Sequence, residues 1–140
     1  AAQAIAPEET LISGYRSRSE QEELYNEKVA GEVAKGLSNE EAVSIVLKQV
    51  QLPGASEHQT GLAIDMSVPE GQEDELAAKI AELAPQYGFV LRYPDGKSDV
   101  TGVDFENWHY RYVGVENAQY MQKHNLVLEE YIALLKAAGK

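Results

Sequence analysis

Apolar positions recur along this chain at two periods, and each change of period marks an element boundary. Residues 1–6 read as the end of a short helix stopped by Pro7, and Thr10–Ser13 (TLIS) as a strand turned by Gly14. Ser19 followed by Glu22 fits a capping box, opening a helix to about Val33 with Leu24, Tyr25 and Val29 on one face. Ser38 with Glu41 repeats the pattern and predicts a helix to about Val50 that buries Val43, Val46, Leu47 and Val50. In the stretch 56–68 the period falls to two. Leu62, Ile64 and Met66 share one face of a strand, and Ala63, Asp65 and Ser67 share the other. The 3.6 period returns over Glu73–Ala84, with Leu76, Ile80 and Leu83 inward. Phe89–Leu91 reads as a short strand, Pro94–Gly96 as a turn and Trp108–Val113 as a strongly β segment. Two helices, about 116–124 and 129–138, follow on either side of Asn125. The sum is α+β: a small, largely antiparallel sheet packed by helices.

The 140 residues carry no repeat and no linker, so one domain spanning 1–140 is expected, and it is long enough to bury a core. With 44% hydrophobic and 25% charged residues, disorder is excluded. No apolar run approaches the ~20 residues of a membrane span, and the first residues show no basic and apolar leader pattern. The net charge of −11 has no basic cluster to offset it, which disfavours nucleic acid as a partner. Cysteine is absent, so thiolate metal sites, disulfides and cysteine nucleophiles are excluded. Any metal must be held by His, Asp or Glu, and His58, His109 and His124 are the only histidines.

Polar residues stand where a core would not place them. His58 and Asp65 are seven apart with Gly61 between them, and Glu106 lies three before His109 beside Trp108. Two imidazoles and one carboxylate make a three-ligand zinc site with a fourth position for water. Gly61 allows a bend that brings His58 and Asp65 together, and the small Ala63 leaves room on the same face. The spacing alone also fits a metal-free domain in which His58 and Asp65 merely hydrogen-bond. On the last strand His109 and Arg111 share one face, and Trp108, Tyr110 and Tyr112 share the other, expected to be the packed one. Positions i and i+3 of a strand point to opposite faces. Glu106 can therefore serve the site of His109 only if residues 105–107 form a loop or bulge, which is the expectation. His124, in a polar helical context, reads as an exposed helix residue.

Three segments carry a family resemblance. Ser56-Glu57-His58-Gln59-Thr60-Gly61-Leu62-Ala63-Ile64-Asp65 matches the S-x-H-x-x-G-x-A-x-D signature of the VanY-type D-alanyl carboxypeptidases. Glu106-Asn107-Trp108-His109 matches their E-x-W-H, and Ser13-Gly14-Tyr15-Arg16-Ser17 their S-G-Y-R-S, with Gln21 where that family often has glutamine. The resemblance runs from about residue 10 to residue 133. The connecting segments 84–94, 101–114 and 124–132 look nearest to the LdcB branch, which trims cell-wall stem peptides. Such proteins usually carry more chain before the S-G-Y-R-S strand, so a reduced wall of the substrate groove is expected here.

The resemblance implies a fold of the hedgehog/D-Ala-D-Ala peptidase kind and a set of roles. His58, Asp65 and His109 would hold Zn²⁺, and Glu106 would exchange the proton of the attacking water. Arg16 would face either the oxyanion or the substrate carboxylate. Ser56 and Gln21 would contact the substrate's C-terminal end. The implied reaction is release of C-terminal D-alanine from peptidoglycan stem peptides, with L,D-cleavage of a tetrapeptide favoured over D,D-cleavage of a pentapeptide. No serine is followed by a lysine three residues on, which separates the chain from the S-x-x-K carboxypeptidases. The alternative is a non-catalytic zinc domain that binds cell-wall peptide or a protein partner. An extracytoplasmic place in the bacterial envelope follows from the substrate, with the export signal or anchor outside this segment. A monomer without membrane insertion is expected.

Overall fold

The computed structural model describes residues 1–69 and 71–140. Four strands form one antiparallel sheet in the order β1-β2-β4-β3. They are β1 (Thr10–Ser13), β2 (Ala63–Ser67), β3 (Phe89–Tyr93) and β4 (Glu106–Tyr112). The helices are α1 (Arg18–Ala34), α2 (Asn39–Val46), α3 (Asp74–Leu83), the short α4 (Ser98–Thr101), α5 (Val115–Lys123) and α6 (Leu128–Ala137). The expected α+β architecture is the one observed. The N-terminal helical fragment is a single 3₁₀ turn, Ala2–Ala4.

The apolar face of the sheet follows the period of two. Ile64 and Met66 of β2, Phe89 and Leu91 of β3 and Tyr110 of β4 pack with Ile80 of α3 and Ala6 of the N-terminal segment. A second cluster joins Val90 to Ala118 and Met121 of α5 and Tyr131 of α6. Burial of these side chains removes apolar surface from water at roughly 25 cal/mol per Å². The opposite face of β2 and β4 carries Asp65 and His109, and α1 and α2 pack together on one another.

Helix ends and one strand face differ from the sequence reading. The cap of α1 is Ser17, not Ser19: its hydroxyl accepts from Glu20 N, and the Glu20 carboxylate accepts from Ser17 N at 2.7 Å. Ser17 has the extended backbone an N-cap needs, whereas Ser19 already lies in the first turn. Helix α2 opens as expected on Ser38 and Glu41 but ends at Val46, and residues 47–49 continue as turns. Its buried residues are Ala42 and Val46, while Val43, Leu47 and Val50 are half-buried. On β4 the packed face is not shared by three aromatics. Tyr110 is 1% exposed, but Trp108 is 41% exposed and Tyr112 also faces solvent. For Trp108 the cause is a break in strand register described below; Tyr112 keeps the regular register opposite Phe89.

One connection depends on glycine. Gly88 has φ +84, and a Cβ there would lie 2.7 Å from the Tyr112 ring and 3.1 Å from the Gly114 backbone. Left-handed backbone costs an L-residue roughly 1–2 kcal/mol. Gly88→Ala is therefore expected to destabilise the fold by about 2 kcal/mol. Urea unfolding would read this as a lower midpoint at unchanged slope.

Candidate active site

The site is assembled by register. Asp65 of β2 pairs with Ser13 of β1 on one side and with His109 of β4 on the other. Asp65 and His109 thus meet across the sheet, as cross-strand neighbours do. His58 arrives from a 3₁₀ turn, Glu57–Thr60, closed by Gly61 at φ +71. That left-handed residue supplies the expected bend. The main chain ties the turn to β1's exit: Arg16 N donates to His58 O at 3.2 Å.

Glu106 reaches the same place through a register break. On β3, Leu91 pairs with Tyr110 and Tyr93 with Glu106, so three β4 residues, 107–109, lie opposite Arg92 alone. The irregularity cancels the alternation of faces, so that both Glu106 and His109 are buried while Trp108 turns outward. The expected break exists, but it lies at 107–109 rather than 105–107, and Glu106 itself belongs to the strand.

All seven predicted residues, Arg16, Gln21, Ser56, His58, Asp65, Glu106 and His109, line one cleft of about 200 Å³. Ligand atoms of His58, Asp65 and His109 lie within 4.8 Å of one another. His58 Nε2 is 3.3 Å from Asp65 Oδ2, and His109 Nδ1 is 3.1 Å from Asp65 Oδ1. Tetrahedral zinc bonds of 2.0–2.2 Å place ligand atoms about 3.4 Å apart. Asp65 Oδ1 is buried without a hydrogen-bond partner among the described residues. A carboxylate with one orphaned oxygen, standing between two imidazoles, is a donor set that fits Zn²⁺. Ala63, expected to leave room, is buried and outside the cleft lining.

Electrostatics agree with the geometry. Burial pushes the Asp65 carboxyl up, but contact with His109 and His58 overcomes it and holds the group at about 2. Burial pushes the His109 ring down, but Asp65 and Glu57 overcome it and raise the ring to about 9. The position between these groups therefore favours positive charge. Glu106 is opposite in character. Burial, with Asp65, Asp104 and Glu57 nearby, raises its carboxyl to about 7 against the pull of His109. Its Oε2 lies 3.8 Å from His109 Nδ1.

Arg16 lines the cleft beside Asp65, 3.8 Å away. Its guanidinium donates to Gln21 Oε1 at 2.7 Å and to Ser13 Oγ at 3.0 Å. Gln21 is 1% exposed, and its amide nitrogen donates to Gln51 O at 2.6 Å. Gln21 is thus a buried brace for Arg16 within the cleft lining. Ser56 is buried at the start of the 3₁₀ turn, and its side chain makes no capping bond. His124 is exposed at the end of α5 and stacks on Tyr120, as a surface residue. Glu57 and Arg92, which the sequence reading passed over, also belong here. The signal that could have marked Glu57 was its place between Ser56 and His58 in the longest motif.

Known proteins resemble this chain in sequence and in fold. The chain is 41% identical over 124 residues to a D-alanyl-D-alanine carboxypeptidase of Enterococcus faecalis (strain ATCC 700802 / V583), covering 87% of this chain and 46% of that one. Among solved structures, a variant of the D,D-pentapeptidase VanY from a VanB-type resistance cassette, in complex with Zn(II), superposes with a TM-score of 0.82. The two chains are 40% identical, covering 89% of this chain and 71% of that one. The LdcB LD-carboxypeptidase superposes with a TM-score of 0.75 at 34% identity, covering 94% of this chain and 61% of that one. The chain spans about half the length of the curated relatives it matches. The family model described as VanY, D-alanyl-D-alanine carboxypeptidase, matches residues 1–115. On this match over most of its length, the chain belongs to the VanY family of D-alanyl-D-alanine carboxypeptidases.

Proposed function

We propose that this chain is a zinc metallocarboxypeptidase that releases C-terminal D-alanine from peptidoglycan stem peptides. The observation that carries the reading is the convergence of His58, Asp65 and His109 within 4.8 Å, with Glu106 beside them in one cleft. Zinc, when bound, supplies a Lewis acid that makes water more acidic and polarises the scissile carbonyl.

The chain's own residues supply the rest. Glu106 accepts the proton of the attacking water and delivers it to the departing amine. A carboxyl held near 7 is suited to both directions of that transfer at neutral pH. Arg16, kept in place by Gln21 and Ser13, presents a charged donor to the substrate's terminal carboxylate or to the developing oxyanion. Ser56 turns its hydroxyl, unused in capping, to the substrate's C-terminal end. Gln21 acts through Arg16. No acyl-enzyme forms, because both motif histidines are engaged at the metal position and Ser56 has no base.

The resemblance of segments 84–94, 101–114 and 124–132 to the LdcB branch favours L,D-cleavage of the tetrapeptide. The likeness to a D,D-pentapeptidase keeps D,D-cleavage as the second reading. Such substrates place the protein at the bacterial cell envelope, and no helix among the described residues is long and apolar enough to cross a membrane. Mass spectrometry of tetrapeptide and pentapeptide stems incubated with zinc-loaded protein decides the matter. Loss of one alanine from the tetrapeptide alone is the expected result; loss from the pentapeptide alone selects the second reading. A protein that holds zinc but cleaves neither is the non-catalytic binding module.

A further inference from the structure

The ring of His109 has two nitrogens with different neighbours. Nδ1 faces Asp65 Oδ1 at 3.1 Å, while Nε2 lies 3.4 Å from Glu57 Oε2. The other oxygen of Glu57 accepts from Arg92 Nε at 2.7 Å and faces Arg111 Nη1 at 3.1 Å. Arg92 is secured from its far side by Glu129 in the first turn of α6, Nη1 to Oε2 at 3.0 Å. The carboxylate of the motif turn is thus held by β3 and β4, with α6 bracing Arg92 from behind.

A neutral imidazole carries a single N–H, and the partner of one nitrogen decides which. A carboxylate facing two guanidiniums is ionised and can only accept. Carboxylates face both nitrogens, but the nitrogen turned toward His58 and Asp65 can serve a cation only when it carries no proton; the remaining proton then lies on Nε2, where Glu57 accepts it. His58 is arranged on the same logic in reverse. Its Nδ1 lies 2.7 Å from Gly14 O, a main-chain acceptor, so Nε2 is the free nitrogen toward Asp65. One histidine is set by backbone and the other by a side chain.

We propose that Glu57, clamped by Arg92 and Arg111, is the positioning residue that sets the tautomer of His109, so that Nδ1 offers its lone pair beside His58 and Asp65. This rests on the zinc reading of the cleft given above. Partners behind metal-binding histidines are typically worth about 10–100-fold in metal affinity.

The test is Glu57→Gln, measured as zinc affinity by competition with a chromophoric chelator, with no substrate present. A glutamine must face three donors with one carbonyl and one NH₂, so it either opposes the arginines or reverses the His109 tautomer. Zinc is expected to bind the variant about 10–100-fold more weakly than the wild type. A variant that binds zinc within about twofold of the wild type overturns the inference alone. A wild-type chain that binds no zinc overturns the metal reading beneath it. The second measurement needs no variant: long-range ¹H–¹⁵N correlation of the zinc-loaded wild type should show the His109 proton on Nε2. A proton on Nδ1 would refute the assignment even if Glu57→Gln failed to fold.

Discussion

Glu106→Gln is expected to retain one equivalent of zinc and to lose about 10²–10⁴-fold in turnover, the range that a positioned acid–base group supplies. The substitution keeps the size of the side chain and removes its ability to take a proton. Glu106 lies outside the ligand cluster, at 3.8 Å from His109 Nδ1, so the metal should stay. Its carboxyl is the one in the cleft raised toward neutrality, whereas Asp65 and Glu57 are held at about 2. Burial tends to raise all three, but only Asp65 and Glu57 have enough opposing partners to reverse it. Glu106 is thus the group with a proton-transfer range near physiological pH. Single-turnover assays with the stem peptide, alongside zinc content by elemental analysis, measure both halves of the expectation. Unchanged turnover in a zinc-replete variant would remove Glu106 from the reaction, and loss of zinc together with turnover would make it a ligand instead.

Asp65→Asn is expected to abolish stoichiometric zinc binding and, with it, all turnover. Asp65 is the one carboxylate shared by the set, in contact with His58, His109 and, more distantly, Arg16. An amide keeps the shape but loses the charge that offsets a divalent ion in a buried setting. The consequence extends to stability. An ion that binds only the folded chain adds about 4 kcal/mol at a thousandfold excess over its dissociation constant. For a domain of this size that is a rise in melting temperature on the order of 10 °C. The wild type should therefore melt higher with zinc and lose the gain on chelation, while Asp65→Asn should melt at one temperature in both conditions. Differential scanning calorimetry with and without chelator reads the difference directly. A zinc-dependent rise that survives in the variant would show that the ion sits elsewhere.

Much of the site was visible before any coordinates. His58, Asp65, His109 and Glu106 stand out because a core rejects them at those positions, and the S-x-H-x-x-G-x-A-x-D and E-x-W-H spacings carry the family likeness. What escaped was set by neighbours far along the chain. Gln21 was expected at the substrate's C-terminal end, with nothing in the sequence to show that it braces Arg16. It is buried because Arg16 and Gln51 O consume both ends of its amide. Glu57 sat inside the principal motif, but its role depends on Arg92 and Arg111, which reach it only after β3 and β4 pair. The outward turn of Trp108 was hidden for a similar reason. Strict alternation assigns it to the packed face, and only the break opposite Arg92 reverses the assignment.

Local chemistry was the sequence's own contribution: which side chains could ligate or exchange a proton, that Asp65 lies opposite the apolar face of its strand, and that helices and a small antiparallel sheet would carry them. Those properties depend on residue type and on periods of 2 and 3.6, which are short-range. Tertiary structure alone decided that Asp65 would sit between Ser13 and His109, that Glu106 would share their side of the sheet, and which nitrogen of each histidine would face inward. Register, strand irregularities and ring orientation arise from contacts between segments tens of residues apart, and linear spacing carries no record of them.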